Sequence, residues 1–152
     1  LADYIVLGVY DESLLTLMAN VLIKLGIKGA MVVNGSDGLD EITMTGKTHV
    51  CEVKDGKIST YDIDPPDYGF EYCTADVLKG GTPEENAKMT LDILTGKDKG
   101  VRRNTVLLNA GCAIYCAGKA ATIADGVKLA AEMIDSGKAY DKLNEMKDFT
   151  NS

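Results

Sequence analysis

The run from Tyr4 to Tyr10 (YIVLGVY), together with the helical pattern directly after it, constrains this chain more than any other feature. The run is apolar and β-branched, as a buried strand is. Next comes a stretch in which Leu14, Leu15, Met18, Val21, Leu22 and Leu25 recur at helical spacing. Asp11 stands where a helix cap belongs, and Gly26 stands where the helix should stop. A second apolar run, Ala30-Met31-Val32-Val33, then predicts another short buried strand. Strand, helix and strand in this order form a βαβ unit with a right-handed crossover, and so an α/β fold.

Downstream, a polar loop opens with Asn34-Gly35-Ser36-Asp37-Gly38 and continues into Leu39-Asp40-Glu41. Thr48–Val53 and Lys57–Tyr61 flank Asp55-Gly56, a strong hairpin signal. Asp64-Pro65-Pro66-Asp67 is a rigid connection that no central strand could continue through. From Thr82 the pattern turns helical. Thr82-Pro83-Glu84-Glu85 sets out a cap, a first-turn proline and a capping-box glutamate, and Gly96 ends that helix. Arg103–Ala117 is apolar and rich in Ala and Gly, which predicts a well-buried helix. Thr122–Ser136 is amphipathic, with Ile123, Val127, Ala130, Ala131 and Ile134 near one face. A last helix is predicted from Lys138 to about Met146. No repeat or linker divides the chain, so residues 1–152 read as one unit whose later helices cover a sheet.

Charge narrows the function classes. Sixteen basic residues against 23 acidic give a net charge of −7. A duplex-binding protein carries a basic face to exchange for counterions, and this field opposes polyanions and anionic membranes alike. A local basic pocket for a small phosphate remains compatible with it. No apolar run approaches the ~18 residues of a membrane span, and no secretory leader is visible. Cys51, Cys73, Cys112 and Cys116 lack disulfide or C-x-x-C spacing, and reduced, buried thiols of a cytoplasmic protein are expected. The chain opens on Leu1 rather than Met, which points to processing, truncation or excision from something longer.

The best chemical candidate is Asp40-Glu41. Adjacent carboxylates after a buried strand offer the oxygen ligands that Mg²⁺ prefers, and the C-terminal edge of a parallel sheet is where open α/β folds bind ligands. An EF-hand is excluded, because placing Gly38 sixth puts Val33 first and Met44 twelfth. Gly80-Gly81-Thr82 precedes a helix as phosphate loops do, yet Glu84 and Glu85 already occupy that positive helix end. Capping explains those residues better. Lys97, Lys99, Arg102 and Arg103 form the basic cluster of the chain, and a solvated helix entry is its simplest reading. His49 has no nucleophile arrangement implied around it, so no triad and no catalytic side chain are assigned.

Val32-Val33-Asn34-Gly35-Ser36-Asp37-Gly38-Leu39-Asp40-Glu41 resembles the Gly-x-x-Gly-Leu-Asp-Glu stretch of anthranilate phosphoribosyltransferases. Further pieces resemble the same family in the same order. They are Leu7-Gly8-Val9-Tyr10, Thr45-Gly46-Lys47-Thr48, Asp64-Pro65-Pro66-Asp67-Tyr68-Gly69, Gly80-Gly81 with Glu85-Asn86-Ala87, Leu108-Asn109-Ala110, and Glu132 through Ala139. The resemblance implies the C-terminal part of a nucleoside phosphorylase/phosphoribosyltransferase-type α/β catalytic domain, without the helical N-terminal domain. It implies a transferase moving phosphoribosyl from 5-phosphoribosyl-1-diphosphate to anthranilate, a step of tryptophan biosynthesis. Asp40 and Glu41 take the place of the family's acidic Mg²⁺ ligands, and the full-length protein is expected to be a homodimer.

Two differences stand out. Asn34 occupies a position where the family commonly has His. The family's Gly-Thr-Gly-Gly-Asp, Asn-Ile-Ser-Thr and Lys-His-Gly-Asn segments, which imply most of the diphosphate and anthranilate contacts, do not occur in this sequence. The expectation is therefore a transferase part that is inactive alone. Two other readings are a pyrimidine-nucleoside phosphorylase-like enzyme half and a non-enzymatic nucleic-acid-binding relative.

Overall fold

A computed structural model describes residues 2–151. Strand β1 (Tyr4–Gly8) leads through helix α1 (Leu14–Lys24) to β2 (Gly29–Gly35), and β1 and β2 pair in parallel, which is the expected βαβ unit. Strands β3 (Thr48–Lys54) and β4 (Lys57–Ile63) form a hairpin, and the sheet order is β1-β2-β3-β4. Asp55 and Gly56, at φ of 50° and 71°, form the two-residue turn, a left-handed geometry that matches the strand twist.

Because β3 runs antiparallel to β2, the sheet is mixed, and the expectation of a parallel sheet behind Asp40 holds for β1 and β2 alone. β2 is buried along its whole length. β1 is an edge strand and only half-buried, although both its faces are covered, Val6 packing on one side of the sheet and Ile5 and Leu7 on the other.

Alternation along the strands sorts the core into two layers. Ala30 and Val32 of β2, with Cys51 and Val53 of β3, meet Leu15, Ala19 and Leu22 of α1. Met31, Val33 and Val50 point the other way, onto Leu108 and Cys112 of α4 (Val101–Cys116) and Val127 of α5 (Ile123–Asp135). The result is helix, sheet, helices. Val21 and Leu25, counted on the α1 core stripe from spacing, face outward instead, because α1 seats its Leu15-Ala19-Leu22 row on the sheet.

Other elements differ from the pattern in smaller ways. A 3-10 turn at Pro65–Tyr68 makes the rigid connection, and a one-turn helix, α2 (Ala75–Leu78), comes next without a signal in the pattern. In α3 (Pro83–Leu94), Thr82 and Glu85 make the full capping box, the Thr82 amide donating to Glu85 Oε2 at 2.8 Å and the Glu85 amide to Thr82 Oγ1 at 3.3 Å. Asp11 does not cap α1. The cap position is Ser13, whose amide donates to Asp11 Oδ1 at 2.8 Å. α4 buries only Leu107, Leu108, Gly111 and Cys112 completely, one face rather than the whole helix. The last helix, α6 (Lys138–Thr150), runs one turn beyond its expected end.

Candidate functional site

The site grows from the C-terminal ends of β1 and β2. β1 stops at Gly8, and a Cβ there would lie 1.5 Å from the Asp40 carbonyl oxygen. The Asp40 backbone therefore rests directly on the Gly8 backbone, a contact only glycine permits. Beside it, the Val9 amide donates to the Val33 carbonyl at 2.9 Å. Asn34, buried at the end of β2, donates its Nδ2 to the Val9 carbonyl at 2.8 Å. Asn34 thus belongs to β2 rather than to the loop, and its amide ties the two strand ends together.

The loop carrying the carboxylates is held at both flanks. Gly35 N donates to Leu39 O and Gly38 N to Gly35 O, each at 2.8 Å, which folds the chain back just before Asp40. Just after Glu41, Ile42 enters the core, and α4 grips its backbone. Asn109 Oδ1 accepts from Ile42 N at 3.2 Å, and Asn109 Nδ2 donates to Ile42 O at 2.8 Å. An asparagine amide matches a peptide unit donor for acceptor, so one side chain satisfies both groups.

Asp37 organises the interior of the loop. Its Oδ2 accepts from Thr43 Oγ1 at 2.6 Å and from Thr45 Oγ1, and its Oδ1 accepts from Leu39 N at 3.1 Å. Burial pushes its pKa up, but the hydrogen bonds from Thr43, Thr45 and Leu39 outweigh that and hold the carboxyl below its ordinary value of 3.8. A carboxyl whose folded pKa is depressed stabilises the loop above its unfolded pKa, and that support is lost as pH falls through the folded value. Asp37→Asn is therefore expected to loosen residues 35–45 at neutral pH and to abolish the acid-dependent part of their loosening. Amide exchange of Leu39 and Thr45 checks both; unaltered protection in the variant would remove Asp37 from this role.

Asp40 and Glu41 themselves are exposed on a firmly anchored backbone. A cleft of about 360 Å³ beside them is lined by Leu39, Thr43, Leu78, Arg102 and Thr105 as well as the two carboxylates. Arg102 comes from the first turn of α4, and its Nε is buried with no hydrogen-bond partner among the described residues. Two exposed carboxylates fit Mg²⁺ chemically, since that ion takes one or two protein carboxylates and fills its shell with water and substrate phosphate oxygens. Among the described residues no third His, Cys, Asp or Glu joins them, so this chain offers part of a coordination sphere.

The other sequence candidates lie elsewhere. His49 on β3 hydrogen-bonds Asp62 Oδ1 through Nδ1 at 2.8 Å, with Glu12 4.0 Å from Nε2, so its ring faces two carboxylates. Gly80 and Gly81 serve the α3 cap, where Asn86 Oδ1 accepts from Gly81 N at 2.8 Å. Of the basic cluster, Arg103 pairs with Asp135 at 2.8 Å, whereas Arg102 reaches the carboxylate cleft. Gly8, Asp37 and Asn109 do not stand out as site residues in the sequence. A signal for Asn109 is present, a lone amide inside an apolar helix; nothing local marks Gly8.

The model of the glycosyl transferase family, a/b domain, matches residues 1–140. The chain belongs to this glycosyl transferase family. Among curated members, an anthranilate phosphoribosyltransferase from Methanobrevibacter smithii is 52% identical over 147 residues, covering 97% of this chain and 44% of that protein. One from Clostridium beijerinckii is 50% identical over 140 residues, 92% of this chain and 41% of the relative. The chain therefore spans about two-fifths of the length of the curated relatives it matches. Among solved structures of the family, anthranilate phosphoribosyltransferase from Thermus thermophilus superposes with a TM-score of 0.87 at 36% identity, covering 95% of this chain and 42% of that one. The Saccharomyces cerevisiae enzyme in complex with PRPP and Mg gives 0.82 at 27% identity, covering 91% and 40%. This is the extent and α/β architecture expected of a C-terminal part of the catalytic domain of a family member.

Proposed function

We propose that this chain forms the metal-holding edge of an anthranilate phosphoribosyltransferase active site, completed by sequence of the kind its longer relatives possess. The observation that carries this is the Asp40-Glu41 segment, immobilised by Gly8 on one side and the Asn109 clamp on the other yet open to solvent. A surface carboxylate pair needs no such anchoring; a ligand-holding pair does, because misplacement of catalytic groups by about 1 Å costs about 10²-fold in rate.

In this reading Asp40 and Glu41 hold Mg²⁺ with the diphosphate of 5-phosphoribosyl-1-diphosphate. The ion would offset the negative charge that grows on diphosphate as it leaves the ribose C1. The Asp37 network and Asn109 keep the two carboxylates in place, and Ile42 and Met44, both fully buried, root the loop in the core. Anthranilate's amine is a modest nucleophile, so its alignment with C1 matters as much as its activation. No side chain of this chain is assigned to that alignment.

A full-length enzyme carrying this segment is expected to consume anthranilate and 5-phosphoribosyl-1-diphosphate in a 1:1 ratio, read as loss of anthranilate fluorescence with diphosphate release. It should not phosphorolyse uridine or thymidine. Phosphorolysis without transfer would establish the nucleoside phosphorylase reading instead. The 152-residue chain alone should give no transfer product, and measurable product would refute the partial-site reading.

A further inference from the structure

A second cleft, of about 720 Å³, opens at the other end of the sheet. The seven residues of β2 separate it from the carboxylate loop by roughly 20 Å at ~3.3 Å per residue. Its volume lies within the roughly 300–1,000 Å³ usual for small-molecule sites. Tyr4 of β1, Gly29 of β2, Glu52 and Lys54 of β3, and Tyr115 and Cys116 of α4 line it.

Glu52 is the feature that needs an explanation. It is only 8% exposed, and among the described residues no Lys, Arg or His forms an ion pair with it. Lys54, two residues along on the same face of β3, stands instead over the Tyr115 ring, 5.1 Å from its centroid. Lys28 on the rim is engaged by Asp3 at 3.1 Å. What surrounds Glu52 is phenolic. The Tyr61 hydroxyl is buried against the Glu52 carboxylate, and burial, then the charge of Glu52 and a hydrogen bond with it, raise its pKa. Tyr115 is pushed up by burial first and then by the neighbouring Glu52 carboxylate. Buried carboxylates are ordinarily paired with a cation. Here the acid forms part of a cleft wall, its neighbours are phenol hydroxyls that hydrogen-bond it, and among the described residues no cation pairs with it.

The cleft's charge has a direction. α4 ends beside Glu52, and the Cys116 carbonyl faces the cleft, 3.4 Å from where a Gly29 Cβ would stand. A helix C-terminus favours positive charge, so the inner end has two features that attract a cation. Lys54, exposed at the mouth, favours an anion there. Two aromatic rings also line the cleft, Tyr4 and Tyr115; Tyr4 lies across the Gly29 backbone, its Cδ1 3.0 Å from the same added Cβ. We propose that this cleft binds an aromatic α-amino acid, with its ammonium on Glu52, its carboxylate on Lys54 and its ring between Tyr4 and Tyr115.

Calorimetric titration of the chain with L-phenylalanine, L-tyrosine and L-tryptophan tests this, with phenethylamine and 3-phenylpropionate as probes that each lack one charged pole. At least one amino acid should bind saturably, and both single-pole probes should bind about tenfold or more weakly, the loss of one charged contact. Glu52→Gln should weaken the amino acid about tenfold while leaving 3-phenylpropionate unchanged. Lys54→Met should weaken the amino acid and leave phenethylamine unchanged, and it carries the test if circular dichroism shows that Glu52→Gln fails to fold. Absence of saturable binding by all three amino acids would overturn the proposal. So would equal binding of the single-pole probes, or binding indifferent to the folded variants.

Discussion

Asp40→Asn is expected to lower the turnover of a full-length enzyme carrying this segment by about 100-fold, the usual loss when one stabiliser of transition-state charge is removed. The substitution is nearly isosteric, and nothing that positions residue 40 depends on its side chain. Its backbone rests on Gly8, Gly35 N holds the preceding carbonyl, and Asn109 holds Ile42 beyond. The variant should therefore melt at the same temperature as its parent, with the loss confined to turnover and to a higher Mg²⁺ concentration for half-maximal rate. Asp37→Asn is the contrasting case, since it removes an acceptor that Thr43, Thr45 and Leu39 all use and should disturb the loop itself. Unchanged turnover in Asp40→Asn at limiting Mg²⁺ would take Asp40 out of the mechanism.

The difference between those two aspartates shows where sequence reasoning is strong and where it stops. Both lie in one polar loop, and spacing alone cannot say which faces inward. Asp40-Glu41 stands out because adjacent carboxylates have a known chemistry. Asp37 acquires its role only when the chain returns to bring Thr43 and Thr45 against it. Strands β2, β3 and β4 are legible because a short apolar run and a two-residue turn are local signals. The edge position of β1 and the antiparallel β2–β3 pairing are not, since both depend on which strands become neighbours. Asn34 illustrates the same limit. By composition it opens a loop, whereas in the fold it ends a buried strand and binds the Val9 carbonyl. The Glu52 cleft is the extreme case, as its walls come from β1, β2, β3 and α4, which are distant in sequence.

The second large effect is expected where α4 crosses α5. Gly126 lies inside α5, and a Cβ there would sit 2.2 Å from the Gly111 carbonyl; a Cβ on Gly111 would reciprocally lie 2.7 Å from Val127 N. Two opposing effects decide Gly126→Ala. Alanine is favoured over glycine within a helix by about 1 kcal/mol, which alone would stabilise the chain. Against that, the methyl meets backbone rather than a flexible side-chain tip, so relief requires the helices to part, and overpacking of this kind costs up to about 3 kcal/mol. The clash should win, and Gly126→Val, which adds β-branching, should lose more. For a chain of this size the net loss of up to about 2 kcal/mol for Gly126→Ala corresponds to a fall in Tm of up to roughly 4–8 °C. The consequence should reach the carboxylate loop as well, because α4 also carries Asn109, two residues before Gly111. Moving α4 outward draws the Asn109 amide away from Ile42, so amide exchange at Ile42 should accelerate beyond what the global loss of stability accounts for. A Tm equal to or above the parent's would mean that helix propensity outweighs the contact, and that α4 and α5 have room to separate without disturbing the residues that hold Asp40 and Glu41.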